Sequence, residues 1–216
     1  IQAMDYYLSD TFWIPPGELD WQFTEKAAYL PTAVVFQPSE ISPPVNMLPA
    51  LENGYITFGS FNRTNKINES VIVLWSMLMR KVAHSRLVLG AIPPEHQAAL
   101  RQSFANVGIA QSRLIFFPRS HTAAYLKLHY QVDICLDTFP HGGGATTVYA
   151  AWMGVPTLCL AGESPASRFS ATAMHHLNLE EFIATSIEDF VNKGCCWAEK
   201  IAELAAIRNG IRARFS

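Results

Sequence analysis

The chain lacks what several large classes of function require. It holds four cysteines in 216 residues, and they form neither a disulfide framework nor a Cys-x-x-Cys metal spacing. Cys135 and Cys159 lie inside apolar runs that read as buried strands, and Cys195 and Cys196 are adjacent. A reducing, cytoplasmic setting fits that usage. No Lys/Arg-rich run is present and the net charge is −2, so no nucleic-acid surface is indicated. No apolar run approaches the length that spans a bilayer. Ile1 to Asp10 hold no basic stretch or cleavage site and do not read as a signal peptide. Internal repeats and low-complexity tracts are missing too. The histidines are scattered, without a metal spacing, and no Ser–His–Asp or Cys–His set can be assembled.

What is present is a core-forming composition. Half of the residues are hydrophobic and 16% are charged, enough for one large domain, or one with appendages. From residue 55 onward, β-rich runs alternate with helical periodicity. Strands are read at 55–61, 86–89, 114–117, 132–136 and 156–160. Helices are read at 69–82, 94–107, 120–130 (with Ser120 as its cap), 146–153 and 167–176, with two or three more to residue 215. The pattern implies βαβ units and a doubly wound parallel sheet of the α/β class. Residues 1–50 differ. They are rich in proline and poor in apolar runs, and they read as an irregular linker or wrapping segment beside a domain at 51–216.

Ligands of such sheets sit beyond the carboxyl ends of the strands. That rule selects the loops at 59–66, 118–121, 138–147 and 161–168. The run His141-Gly-Gly-Gly-Ala-Thr-Thr147 follows a strand and opens a helix. Glycines admit close backbone approach, and a helix start offers free N–H groups to an anion. The same run is equally a Gly-rich turn with a Thr cap. It is neither a Walker A loop nor the Gly-x-Gly-x-x-Gly dinucleotide motif. In Asn62-Arg-Thr-Asn-Lys-Ile-Asn68, Lys66 and Arg63 could reach a phosphate or simply be solvated. Arg168 could contact a ligand or tie down its loop, and Ser167 could cap the helix it opens. His121 and His141 lie on these loops, whereas the other histidines read as surface or packing residues.

These loops resemble, in order and spacing, the catalytic region of the O-linked N-acetylglucosamine transferase family. The resemblance rests on Phe58-Gly-Ser-Phe-Asn-Arg-Thr-Asn-Lys-Ile-Asn68, Val132-Asp-Ile-Cys-Leu-Asp-Thr-Phe-Pro140, Ala151-Trp-Met-Gly-Val-Pro156 and Leu160-Ala-Gly-Glu-Ser-Pro-Ala-Ser-Arg168. Spindly-type and bacterial tetratricopeptide-linked members look most similar. The family implies the Rossmann-like C-terminal domain of a GT-B glycosyltransferase. It implies inverting transfer of N-acetylglucosamine from UDP to Ser or Thr hydroxyls, with no metal or other cofactor. The implied partners are the UDP-sugar, a protein acceptor, an N-terminal catalytic domain and tetratricopeptide repeats outside the chain, which is then expected to be inactive alone.

By the same resemblance Lys66 is the lysine that neutralises the leaving diphosphate, with Arg63 beside it. Ser120 falls where backbone groups read uracil, next to His121, and Tyr125 where a side chain packs on the base. Gly143, Gly144, Ala145, Thr146 and Thr147 match the phosphate-binding turn. Tyr149 stands where the family carries Asp or Glu for the ribose, and Ala145 where Thr or Asn is usual. These departures keep two alternatives open: a non-catalytic interaction module of the same fold, or the donor domain of a UDP-glucose-dependent protein N-glucosyltransferase.

Overall fold

The computed structural model describes residues 4–215. Its main sheet has six parallel strands: β3 (Thr57–Ser60), β4 (Arg86–Leu89), β5 (Leu114–Phe116), β6 (Ile134–Leu136), β7 (Thr157–Leu160) and β8 (Ile183–Ala184). They lie in the order β5-β4-β3-β6-β7-β8. Two half-sheets thus grow outward from the β3–β6 pair, which is the Rossmann arrangement and places a topological switch point between those strands. The doubly wound α/β expectation holds.

Strand alternation divides the core between the two faces of the sheet. Leu87 and Leu89 of β4 join a large cluster with Trp75, Leu78 and Phe104. Those three come from α2 (Glu69–Lys81) and α3 (Pro94–Asn106). Val88 points the other way, into a cluster with Val132, Cys135 and Ala150, packed against Tyr125 and Leu128. Those last three helical side chains lie on α4 (Thr122–Leu128) and α5 (Ala145–Trp152). Helices α6 (Pro165–His176), α7 (Ile187–Glu199) and α8 (Ile201–Gly210) complete the domain, and α1 (Ala50–Asn53) leads into β3. Helix α7 lies close against α2 because Gly194 has no side chain; a Cβ there would sit 2.6 Å from Leu78 Cδ1.

Several boundaries differ from the sequence expectation for local reasons. Helix α4 is capped by His121, whose Nδ1 accepts from Ala124 N at 3.5 Å, and not by Ser120. Helix α6 starts at Pro165, two residues earlier than expected. Ser164 is its cap, and Ser167 reaches back to the Ser164 amide at 3.1 Å. The expected cap residue is therefore the far end of a capping box. Helix α5 starts on Gly144, without a threonine cap.

The N-terminal segment holds two strands that its sequence did not reveal, β1 (Tyr6–Ser9) and β2 (Lys26–Tyr29), paired in parallel. Each has four residues, and β2 shows no apolar alternation. The rest of the segment is largely irregular and lies along the domain. Trp13 Nε1 donates to Pro165 O at 2.8 Å. Arg168 donates to the carbonyl oxygens of Phe12 and Trp13, at 2.8 and 3.1 Å. The structural reading of Arg168 is the one its hydrogen bonds support.

Candidate functional site

The switch point brings two loops together. After β3 the chain turns through Asn62 and Arg63 into a single 3-10 turn, Thr64–Lys66, before Asn68 caps α2. After β6 it runs through a cis Phe139–Pro140 bond to the glycines that precede α5. Lys66 Nζ crosses between the loops and donates to Gly142 O at 2.7 Å. Burial lowers the Lys66 pKa; Asp137 opposes that shift and Arg63 adds to it.

The glycine turn is held from beneath by residues that the sequence reading did not name as site residues. Asp137 Oδ1 accepts from Gly143 N at 2.7 Å and from Asn62 Nδ2 at 3.4 Å. Trp75 Nε1 donates to the Asp137 carbonyl oxygen at 3.1 Å. Asn62 Oδ1 in turn accepts from Thr146 Oγ1 at 3.2 Å. Asp137 is buried, and burial raises its pKa despite these donors. The visible signal was an Asp at the end of a buried strand, five positions before a glycine run, a place where backbone amides need an acceptor.

Two adjoining clefts open over this floor. One of about 620 Å³ is lined by Arg63, Lys66, His141, Gly144, Ala145 and Thr146, among others. The other, about 660 Å³, shares Arg63, Ala145 and Thr146 and extends to Arg119, Ser120, Tyr125 and Tyr149. Together they form a groove along the carboxyl edge of the sheet, with Lys66 towards one end and the tyrosines towards the other.

The aromatic end is tightly packed. Tyr125 meets Phe61, His129 and Tyr149 edge-on, with ring centroids 5.6, 5.2 and 6.1 Å apart. His129 is fully buried, and burial pushes its pKa down to about 4. It is a packing residue, as its sequence context suggested.

Not every expected residue faces the groove. Gly143 and Thr147 are buried behind the turn. The Thr147 hydroxyl is paired with Ser170 Oγ at 2.8 Å, so it is directed into the fold and not offered to a ligand. His121 is exposed and caps α4, outside the residues that line the clefts. Lys66, Arg63, Ser120, Tyr125, Gly144, Ala145, Thr146 and Tyr149 all line the groove. Among the described residues, no group of three or more His, Cys, Asp or Glu could hold a metal ion. No helix among them is long and apolar enough to cross a membrane.

Comparisons with known proteins bear on the family and the fold. The model for Glycosyl transferase family 41 matches residues 45–215. The probable UDP-N-acetylglucosamine–peptide N-acetylglucosaminyltransferase SPINDLY of Solanum lycopersicum is 30% identical over 226 residues, covering 100% of this chain and 24% of that protein. The Arabidopsis thaliana SPINDLY is 30% identical over 221 residues, covering 98% of this chain and 24% of its own length. A solved Thermobaculum terrenum O-GlcNAc transferase superposes with a TM-score of 0.87 at 26% identity, over 99% of this chain and 41% of that one. The chain thus spans about a quarter of the length of these plant relatives. Its fold is the Rossmann-like domain of a GT-B glycosyltransferase, as the sequence led us to expect. By its sequence match and its fold, the chain belongs to glycosyl transferase family 41.

Proposed function

We propose that this chain is the donor-binding domain of a longer protein glycosyltransferase. In this reading it binds UDP-N-acetylglucosamine in the switch-point groove, and the sugar passes to a Ser or Thr hydroxyl with inversion. One observation carries the proposal. Lys66 is held by Gly142 at the start of α5, beside Arg63, in a groove whose lining side chains include no carboxylate among the described residues. Such a site suits a diphosphate, and its own cations and the helix start take the place of a metal ion.

The names of the relatives support the choice of donor, since those proteins are described as UDP-N-acetylglucosamine–peptide transferases. Two proteins of similar fold, a Staphylococcus aureus TarM mutant and Anabaena HepE, were solved in complex with UDP, which supports a uridine nucleotide as the ligand.

In the proposed step the acceptor oxygen bonds to the anomeric carbon as the bond from that carbon to the β-phosphate oxygen breaks. UDP leaves with the electron pair. Lys66 and the first turn of α5 stabilise the charge that gathers on the β-phosphate. The acceptor proton passes to a base contributed from outside the groove residues named here. Arg63 adds charge beside the phosphates, while Tyr125, Tyr149 and the Ser120 loop form the wall for the base.

Titration with UDP and UDP-N-acetylglucosamine tests the reading. Binding raises the melting temperature of the chain, chelators do not abolish that rise, and Lys66→Ala reduces it. No shift at millimolar UDP overturns it in favour of a non-catalytic interaction module, which the tyrosine at 149 would suit. A larger shift with UDP-glucose than with UDP-N-acetylglucosamine would point instead to a glucosyl donor.

A further inference from the structure

We infer that the groove selects its nucleotide through the base and the diphosphate and is nearly indifferent to the ribose hydroxyls, with Tyr149 the residue that sets this indifference. The inference rests on the donor-binding reading above. It starts from the charge of the groove. Arg63, Lys66 and Arg119 line it, and Asp and Glu do not, among the described residues. In dinucleotide-binding Rossmann domains the ribose hydroxyl is held by an Asp or Glu carboxylate. Two acceptor oxygens on one rigid group can take both hydroxyl protons at once.

Among the described residues no carboxylate is available for that task, and Tyr149 occupies part of the wall. It lies one helical turn beyond Thr146 on α5 and lines the aromatic end of the groove. Its ring is fixed edge-on between Tyr125 and Phe36, at centroid distances of 6.1 and 5.3 Å. An aromatic ring therefore takes up this part of the wall, with no carboxylate beside it among the described residues. Asp137 cannot substitute, because it is buried beneath the turn and holds the Gly143 amide at 2.7 Å. Apart from Tyr149 itself, the two arginines and the Tyr125 hydroxyl, which is shut off from solvent, the polar side chains of this wall carry single hydroxyls, those of Thr64, Ser120, Thr122 and Thr146. The Thr146 proton is already given to Asn62 at 3.2 Å. A neutral hydroxyl that exchanges one bond with water discriminates weakly.

Calorimetric titration of the chain with UDP and with 2′-deoxy-UDP, for the wild type, Tyr149→Phe and Tyr149→Asp, tests this. The expected wild-type affinities agree within about threefold, and Tyr149→Phe leaves their ratio unchanged. Tyr149→Asp favours UDP by about tenfold or more, because a carboxylate forms charge-assisted bonds to the diol. A wild-type preference for UDP of about tenfold or more overturns the inference and leaves the donor-binding reading standing. So does a fall in that ratio on Tyr149→Phe, which would show the phenol reading the diol. The wild type and Tyr149→Phe decide the matter even where Tyr149→Asp fails to fold. Binding of neither nucleotide overturns the donor-binding reading and takes this inference with it.

Discussion

Lys66 Nζ and the Gly142 carbonyl oxygen lie 2.7 Å apart, and this bond joins those of Asn62 and Asn68 in linking the loop after β3 to the turn after β6. It also fixes an ammonium at the start of α5. Burial lowers the Lys66 pKa, so folding disfavours the charged form. That penalty is present at neutral pH and is relieved only as pH rises through the lowered folded value. Lys66→Met is accordingly expected to leave the melting temperature of the free chain unchanged or raised. The same substitution weakens UDP binding by roughly tenfold to a hundredfold, the usual worth of a charge-assisted contact. Thermal scans with and without UDP check both halves. A melting temperature several degrees lower, with affinity intact, would make Lys66 a structural residue only.

Five of the six strands of the main sheet, and its ligand edge, were legible because their signals are local; β8, two residues long, was not. Buried strands such as β4 and β6 read as apolar runs, and a strand followed by glycines and a helix marks a carboxyl-edge loop. What stayed hidden depends on pairs far apart in the chain. Thr147 looked like a donor, but its hydroxyl is paired with Ser170, 23 positions away. Asp137 was not singled out from its motif, yet its carboxylate organises the Gly143 amide and Asn62. The strands β1 and β2 escaped notice because they are four residues long and carry no apolar alternation. The start of α6 misled by two positions because serines 164 and 167 form a reciprocal pair, and either could have been the cap.

Acid should loosen the N-terminal segment first. Asp10 is buried and accepts from the amides of Phe12, Trp13 and Ala33, at 3.0, 2.8 and 2.8 Å, and lies 2.9 Å from His176 Nε2. Burial pushes its pKa up, but the amide donors and the His176 ring outweigh that, and the net shift is downward from 3.8. A carboxylate with a depressed folded pKa stabilises the fold above its unfolded value, and that stability is lost as pH falls through the folded one. Asp10→Ala is expected to cost about 1.5–3 kcal/mol at pH 7. The difference from wild type should shrink below about pH 3.8. Urea unfolding at neutral and acid pH measures it; an equal cost at both would remove the carboxylate's charge from the explanation.

Arg208 is the largest buried cation, and its loss should be severe. It donates to Asn46 O, Asn46 Oδ1, Val132 O and His129 O, at 2.9, 2.6, 2.8 and 3.1 Å. Burial pushes its pKa down to about 10, and Asp133 opposes the shift, so it remains charged at neutral pH. Truncation leaves four acceptors without their donor and releases the segment around Asn46. Arg208→Ala should cost about 3–5 kcal/mol. Arg208→Lys recovers only part of that, since an ammonium cannot reproduce the planar fork. Denaturant midpoints for wild type and the two variants provide the check, and an Arg208→Lys midpoint equal to wild type would mean that charge rather than fork geometry holds the segment.

Tyr125 separates packing from hydrogen bonding at the aromatic end of the groove. Its ring lies edge-on to Phe61, His129 and Tyr149. Its hydroxyl is shut off from solvent and has no hydrogen-bond partner among the described residues. Burial raises the phenol pKa, with Cys135 and Tyr149 adding to the effect. An unsatisfied buried hydroxyl costs stability, so Tyr125→Phe is expected to hold or raise stability by about 1 kcal/mol. Tyr125→Ala removes the ring itself and should cost about 3 kcal/mol, with weaker UDP binding as the wall for the base collapses. Calorimetry on both variants with UDP reads the two effects together. If Tyr125→Phe weakens UDP binding tenfold while the fold stays intact, the hydroxyl turns outward to meet the nucleotide, and the packing account of this residue fails.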